Sequence, residues 1–260
     1  MDMSVPKLIV FDLDGTLAES KQPLTDEMAV LLAKLLARTK VAIVSGGALS
    51  QFLKQVVARL PVDAPLQNLF LLPTSGAALY EFRNDDWRKV YEERLSESDK
   101  DAIEAAIEAA IDETGSINRK SRAWGERIEY RGSQVTFSAL GQEAPITEKK
   151  VWDPDRTKRE ELYAAIAKRL PKFAVGIGGS TSIDVTKRGV DKAYGLRKLC
   201  ERLHLKERDA LYVGDELRKD GNDEAVFKTE AETRAVSSPK DTAGIIEAYL
   251  GITERAARGG

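Results

Sequence analysis

The chain has 260 residues, 42% of them hydrophobic, and a formal net charge of −2: enough for a substantial core in one large domain or two small ones, with no electrostatic case for nucleic acid or an anionic membrane. A single cysteine, Cys200, excludes an internal disulfide framework. The one histidine, His204, leaves little for Ser-His-Asp or zinc chemistry, and no run approaches the ~18 apolar residues of a membrane span.

Met1-Asp2-Met3-Ser4 carries no signal-peptide pattern and leads straight into a strand predicted over Lys7 to Phe11; with one cysteine, this makes a cytoplasmic location the expectation. Thr25 to Arg38 reads as a helix. Thr25 is its N-cap, Asp26 and Glu27 suit the positive end of the dipole, and Met28, Leu31, Leu32, Leu35 and Leu36 make an apolar stripe. Val41 to Val44 is a second strand that stops at Ser45-Gly46-Gly47, Leu49 to Leu60 is again helical, and Leu69 to Leu72 is a third strand followed by Thr74-Ser75-Gly76. This alternation predicts a parallel sheet covered by helices on both faces.

The pattern then changes. After a turn at Asn84-Asp85-Asp86, Ser98 to Glu113 is an amphipathic helix with Ile103, Ile107 and Ile111 on one side and a capping box of Ser98 and Asp101. Glu126 to Tyr130 and Gln134 to Ala139 read as strands across Arg131-Gly132-Ser133. Asp153-Pro154-Asp155 lacks the glycine and closing Glu of a calcium loop and reads as a helix start; the helix itself is predicted over Glu160 to Leu170. Phe173 to Ile177 and Thr181 to Val185 form a hairpin across Gly178-Gly179-Ser180. The order helix, two strands, helix, two strands describes a small α+β module. After Lys187 the α/β pattern resumes with a helix over Lys192 to Leu203, a strand over Ala210 to Val213 ending in Gly214-Asp215, a helix over Asp241 to Leu250, and a frayed tail over Thr253 to Gly260. The expected organisation is a doubly wound, Rossmann-like α/β core at 1–83 and 186–260 with an inserted α+β domain at 84–185.

Four apolar strands thus end in polar clusters, and in an open parallel sheet the carboxyl ends of the strands face one crevice. Asp12 and Asp14, two residues apart where the first strand ends, can converge on one metal ion while Asp12 faces a substrate. Gly15 lets the backbone turn, and Thr16 offers a hydroxyl and an N–H to an anion. Asp12, Asp14 and Asp215 provide hard oxygen ligands suited to Mg²⁺, and Asn222 and Asp223 complete or orient the shell. Ser45 and the N–H groups of Gly46 and Gly47 suit phosphate oxygens. Lys192 is placed to neutralise charge on Asp12 and on a phosphoryl group. The set suits attack by a carboxylate on phosphorus, with a second carboxylate as acid/base.

Asp12-Leu13-Asp14-Gly15-Thr16, a serine after the second strand, Gly189-Val190-Asp191-Lys192, and Gly214-Asp215 with Gly221-Asn222-Asp223 together resemble the ordered motifs of the haloacid dehalogenase (HAD) superfamily. The inserted module resembles its type IIB cap. Over nearly its whole length the chain is most similar to eukaryotic-type phosphomannomutases, whose cap motifs match Ile128 to Gly132, Ser138 to Gly141 and Thr181 to Val185. The resemblance implies that Asp12 is the nucleophile that becomes aspartyl-phosphate. It makes Asp14 the acid/base that also lends a backbone carbonyl to Mg²⁺, Asp215 and Asp223 metal-shell residues, and Lys192 the charge stabiliser. In the cap it implies that Arg131, Ser182 and Asp184 bind the sugar phosphate. It also raises a homodimer through the cap, for which the Ile103, Ile107 and Ile111 stripe is one surface, although burial on the cap's own sheet is its simpler use.

Three positions depart from the family. Lys21, Gln142 and Lys149 stand where those enzymes carry substrate-binding arginines. Arginine grips phosphate bidentately, lysine only as a point charge, and glutamine brings no charge. A mutase must hold a second phosphate in its cap, so the sequence reading favours Mg²⁺-dependent hydrolysis of a small phosphorylated metabolite, a sugar phosphate, through an aspartyl-phosphate. A phosphomannomutase-type phosphosugar mutase is the alternative. A catalytically idle sugar-phosphate binder is a third reading, against which the intact Asp12, Asp14, Lys192 and Asp215 argue.

Overall fold

The structure, a computed structural model, describes residues 5–251. It divides into two compact units: the chain up to Tyr91 together with that from Asp191 onward, and the segment Glu92–Val190. Among the described residues no helix is long and apolar enough to cross a membrane.

The first unit is built on a seven-stranded sheet. Its strands are β1 (Leu8–Asp12), β2 (Lys40–Val44), β3 (Leu69–Leu72), β4 (Ala78–Arg83), β5 (Asp86–Glu92), β10 (Ala210–Gly214) and β11 (Glu232–Ala235), in the spatial order β11-β10-β1-β2-β3-β4-β5. The five strands from β11 to β3 pair in parallel, and β4 is antiparallel to β3. All five residues of β1 are buried, as a central parallel strand covered on both faces requires. Strand alternation sends Ile9 and Phe11 into a core with α1 (Asp26–Leu36), α2 (Leu49–Gln55) and α8 (Pro239–Leu250). It sends Leu8 and Val10 into a second core with α7 (Lys192–Leu203). The doubly wound expectation therefore holds, and strand order reverses at β1, which puts Asp12 at the switch point where ligands bind in such sheets.

Thr25 caps α1 as expected, its hydroxyl accepting from Met28 N at 3.2 Å. Strands β4, β5 and β11 were not expected from sequence. β5 and β11 are edge strands whose residues are largely exposed, so they lack the apolar run that marks an interior strand. Because β5 continues the first sheet, the second unit begins at Glu92 rather than 84, and it runs to Val190 rather than 185. A single irregular turn, α3 (Pro73–Gly76), follows β3. The frayed tail expected over Thr253 to Gly260 lies outside the described residues.

The second unit is an antiparallel sheet in the order β6-β7-β9-β8, from β6 (Ile128–Tyr130), β7 (Gln134–Ser138), β8 (Phe173–Ile177) and β9 (Ser182–Lys187). Helices α4 (Glu97–Thr114) and α6 (Thr157–Arg169) share a core with the sheet that takes in Val135, Phe137, Ile183 and Val185. Ile103, Ile107 and Ile111 are at most 4% exposed inside that core. The stripe is thus spent on the unit's own sheet and offers no dimer surface. The α4 capping box is Ser96 with Asp99, two residues before the expected pair. The chain spells Ser-x-x-Asp at both positions, and the buried Leu95 anchors the chain just ahead of the first. The short α5 (Ile146–Trp152) was not foreseen. Asp153 does start a helix: its carboxylate accepts from Lys158 N and Arg159 N, and α6 begins at Thr157, before the expected Glu160.

Candidate active site

Asp12, the last residue of β1, is 3% exposed. The chain then turns back on itself, with Gly15 N donating to Ala18 O at 2.7 Å and both Leu17 N and Ala18 N donating to Leu13 O. Gly15 has φ +86°, and a Cβ there would collide with the Asp215 carboxylate, so the position needs glycine for conformation and for space. From β10, Gly214 leads into Asp215. From α7 comes Lys192, the first helical residue after its N-cap Asp191, which accepts from Tyr194 N at 2.9 Å.

Lys192 Nζ, 4% exposed, donates to Asp12 Oδ1 at 2.6 Å, Asn222 Oδ1 at 2.7 Å and Asp223 Oδ1 at 2.7 Å. All three ammonium protons are engaged. Asp12, Asp215 and Asp223 each bring an oxygen within 4.8 Å of the others. Burial pushes the Asp12 carboxyl up to about 8 despite Lys192, with Asp223 and Asp215 adding to the rise. Burial and Asp223 likewise raise Asp215, while the two aspartates beside Lys192 raise its ammonium against the burial penalty. Fully ionised, three carboxylates against one ammonium would carry two net negative charges in a largely buried space, the crowding that pushes Asp12 and Asp215 up. Oxygen-only donors with that excess charge fit Mg²⁺, with Asp12 and Asp215 as the side chains best placed to hold it.

The Asp14 and Thr16 side chains both have protein partners. The Asp14 carboxylate is not among the three clustered carboxylates. It accepts from Lys21 N at 2.5 Å and from Ser45 Oγ at 3.4 Å, because the turn after Leu13 points it toward the end of β2; only its backbone carbonyl remains to serve a cation. The Thr16 hydroxyl, wholly buried, donates to Asp215 Oδ1 at 3.2 Å and orients that carboxylate. Lys21 itself is exposed, with φ +58°. Ser45 Oγ accepts from Gly47 N at 3.3 Å, so Ser45, Gly46 and Gly47 form a closed turn beside Asp14.

In the second unit, the cap candidates meet on the sheet face opposite α4 and α6. Arg131 Nη2 donates to Glu129 Oε2 at 2.6 Å and to Gln142 Oε1 at 3.4 Å. Gln142 Nε2 donates to Thr136 O at 3.4 Å, and Lys149 Nζ, 4% exposed, to Gln142 O at 3.3 Å. Thr136 Oγ1 donates to Asp184 Oδ1 at 2.8 Å. Ser182, two residues before Asp184 on β9, pairs in register with Ser138. Arg131, Gln142, Lys149 and Asp184 thus share one polar network. Thr136 at its centre and Tyr212, whose hydroxyl donates to Asp223 Oδ1, escaped the sequence reading. Each sits inside a strand that reads as core, and no local pattern marks it.

Several known proteins resemble this chain. It is 26% identical over 245 residues to the phosphomannomutase of Saccharomyces cerevisiae, covering 92% of each chain. It is 26% identical over 253 residues to a probable phosphomannomutase of Caenorhabditis elegans, covering 94% of this chain and 95% of that one. A haloacid dehalogenase-like hydrolase from Bacteroides thetaiotaomicron shares the fold at a TM-score of 0.63 and 16% identity, over 95% of this chain and 100% of that one. The IMP-bound, N-terminally truncated IMP-nucleotidase of Plasmodium falciparum does so at 0.68 and 17%, over 95% and 68%. The eukaryotic phosphomannomutase family model matches residues 28–252. With that match across both units, the chain belongs to the eukaryotic phosphomannomutase family of the HAD superfamily and is a phosphoryl-transfer enzyme.

Proposed function

We propose that this protein is a phosphosugar mutase working through an aspartyl-phosphate on Asp12. The observation that carries the aspartyl-phosphate step is the Lys192 ammonium at 2.6 Å from one Asp12 oxygen. It leaves the other oxygen as nucleophile and keeps a fixed cation beside the phosphorus. The free Asp12 oxygen bonds to phosphorus, the bond from phosphorus to the donor sugar oxygen breaks, and that oxygen takes its proton from the Asp14 carboxyl. In the return half, an acceptor sugar hydroxyl gives its proton to Asp14 and bonds to phosphorus, and Asp12 leaves as carboxylate. Lys21 N and Ser45 Oγ hold the Asp14 carboxylate for both transfers. Mg²⁺, bound by Asp12, Asp215 and the Asp14 carbonyl, would supply charge neutralisation of the phosphoryl oxygens.

Hydrolysis, which the sequence reading places first, now stands second. The curated relatives that align with nine-tenths of the chain are phosphomannomutases, and their likeness takes in the second unit, where a mutase grips its second phosphate. One observation still favours water as acceptor. Gln142 is uncharged, and Glu129 occupies the Arg131 guanidinium from 2.6 Å, which weakens a phosphate grip there.

Purified protein with Mg²⁺ and a panel of sugar monophosphates, with and without a trace of hexose bisphosphate, tests both readings by ³¹P NMR. Bisphosphate-dependent interconversion of 1- and 6-phosphates is the expected result. Rapid phosphate release without isomerisation would replace the mutase with a phosphatase, and neither product would sink both.

A further inference from the structure

The buried charge cluster includes neutral side chains that the proposed chemistry does not use, among them a tyrosine. Tyr212, in the middle of β10, is wholly buried on the sheet face packed by α7. Its hydroxyl donates to Asp223 Oδ1, the same oxygen that receives Lys192 Nζ. Asp223 Oδ2 accepts from Glu216 N at 3.1 Å. Gly214 makes room for the pair: a Cβ there would lie 2.5 Å from Asp223 Oδ2 and 2.9 Å from Tyr212 Cε1. Two donors fill Oδ1, and Oδ2 already holds a backbone N–H. Asp223 has at most one lone pair left for a cation, so its larger task is to hold Lys192.

We infer that Tyr212 is a positioning residue for phosphoryl transfer, fixing Asp223 so that Lys192 stays in place while Asp12 loses its charge. The inference rests on Asp12 being the nucleophile. When its oxygen bonds to phosphorus, the Asp12 carboxylate becomes an acyl group whose carbonyl oxygen carries no full charge, the negative charge lying on the phosphoryl oxygens instead, and the short Lys192–Asp12 contact weakens. Asp223 is then the remaining carboxylate bonded to the ammonium. A carboxylate hung only on that ammonium and one N–H would move with it. The Tyr212 hydroxyl, on a central strand, gives Asp223 a rigid third anchor without adding a cation that competes with Lys192.

Tyr212→Phe removes one oxygen and keeps the ring. With Mg²⁺ and glucose 1-phosphate as donor, kcat is expected to fall about tenfold or more, with KM and the Mg²⁺ half-saturation unchanged to within about twofold. In an Asp223→Asn background the same change should cost less than about twofold, since the two act as one unit. A second readout needs no turnover: the ¹H–¹⁵N signal of the Lys192 ammonium, assigned by its loss in Lys192→Met. Its exchange with solvent should quicken about fivefold or more in Tyr212→Phe, with and without Mg²⁺. Unchanged exchange and kcat, a rise in KM alone, or full additivity with Asp223→Asn would each overturn the inference. Wild-type protein that transfers no phosphoryl group would count against the Asp12 reading, while the exchange measurement still decides whether Tyr212 holds the ammonium.

Discussion

Lys192 reaches Asp12 only because α7 can lie against the turn after β3, and two glycines make that approach possible. Gly195, in the first turn of α7, is the perturbation to make. A Cβ added there would stand 2.7 Å from Gly76 Cα, 2.8 Å from Leu72 Cδ2 and 3.3 Å from Gly76 O. Ordinary carbon contacts lie at about 3.5–4.0 Å, so the two segments must part by roughly 1 Å. Gly76 cannot yield by a rotamer change, because the contact is backbone and its φ is +88°. Overpacking of this kind costs about 1–3 kcal/mol, and a backbone contact belongs at the upper end. Against it stands the helix preference of alanine over glycine, about 0.8–1.0 kcal/mol. The difference leaves Gly195→Ala destabilised by about 2 kcal/mol, or roughly 4–8 °C in Tm for a chain of this size. The control is Gly244→Ala in α8, where a Cβ meets nothing within 4 Å; only the propensity term applies, and stability should rise by about 1 kcal/mol. Denaturant unfolding of both variants reads the difference. Equal stabilisation by the two alanines would refute the claim that backbone contact seats α7.

Other variants probe the remaining elements. Lys192→Met should abolish phosphoryl transfer and, in EDTA above pH 8 where Asp12 ionises, cost about 3–5 kcal/mol, because the Asp12 and Asp223 carboxylates stay buried without their cation. The loss should grow with pH. Asp12 keeps its proton up to about 8 in the folded protein against an ordinary 3.8, so the stability it lends is present below about 4 and fades as pH rises through 8; thermal melts at pH 5 and 9 check the sign. Cys200 is 2% exposed, and burial pushes its thiol up to about 11. At pH 8 only about one thiol in a thousand is ionised, and Ellman's reagent should react only when denaturant is added. Arg159, 9% exposed at its side chain, pairs with the fully buried Asp153 at 2.7 Å and donates to Gly179 O at 2.9 Å. Arg159→Ala should cost about 3–5 kcal/mol in urea unfolding, and Arg159→Lys should recover only part of it.

The sequence made the strand ends legible because their signals are local. An apolar run followed by Asp12, Ser45 or Gly214-Asp215 is both a strand and its carboxyl end, and parallel topology brings such ends together whatever their separation in the chain. The placement of Lys192 beside Asp12 was legible for the same reason, since Asp191 caps a helix that must begin at that end of the sheet. What the sequence hid is how hydrogen-bond partners are shared out. Nothing near Thr16 in the chain shows that its hydroxyl will bond Asp215, 199 residues on. Asp14 looks like a metal ligand until the turn aims it at Ser45. Tyr212 reads as one more apolar position in Ala210-Leu211-Tyr212-Val213 until Asp223 closes on it from 11 residues away. β5 and β11 stayed hidden because edge strands need no apolar pattern, their exposed faces being free to vary. The start of α4 was ambiguous in kind: Ser96 and Ser98 carry the same box, and only the burial of Leu95 chooses between them.

On the proposed reading, whether transfer ends on a sugar or on water turns on charge in the second unit, and one substitution there separates the two. Around Thr136 the network sets Arg131 and Lys149 beside the carboxylates of Glu129 and Asp184, which compete with a phosphate for those cations. Gln142 contributes two bonds of 3.4 Å, to Arg131 and to Thr136 O, long enough that losing them costs little. Gln142→Arg would place a second guanidinium beside Arg131, with Glu129 shared between them. Without an anion this is like-charge crowding, and Tm should fall slightly. With phosphate the sign reverses: a bidentate guanidinium contact contributes about 1.5–3 kcal/mol, roughly 10- to 100-fold in the residence of the far phosphate. A bisphosphate that stays bound longer has longer to turn and return its second phosphoryl group to Asp12, so the ratio of isomer to free phosphate should rise by about that factor. Inorganic phosphate should also raise the Tm of the variant more than that of the wild type. A ratio unmoved by Gln142→Arg would mean that the acceptor is chosen at Asp14 and the end of β2, where the attacking hydroxyl loses its proton, and not by the grip on the second phosphate.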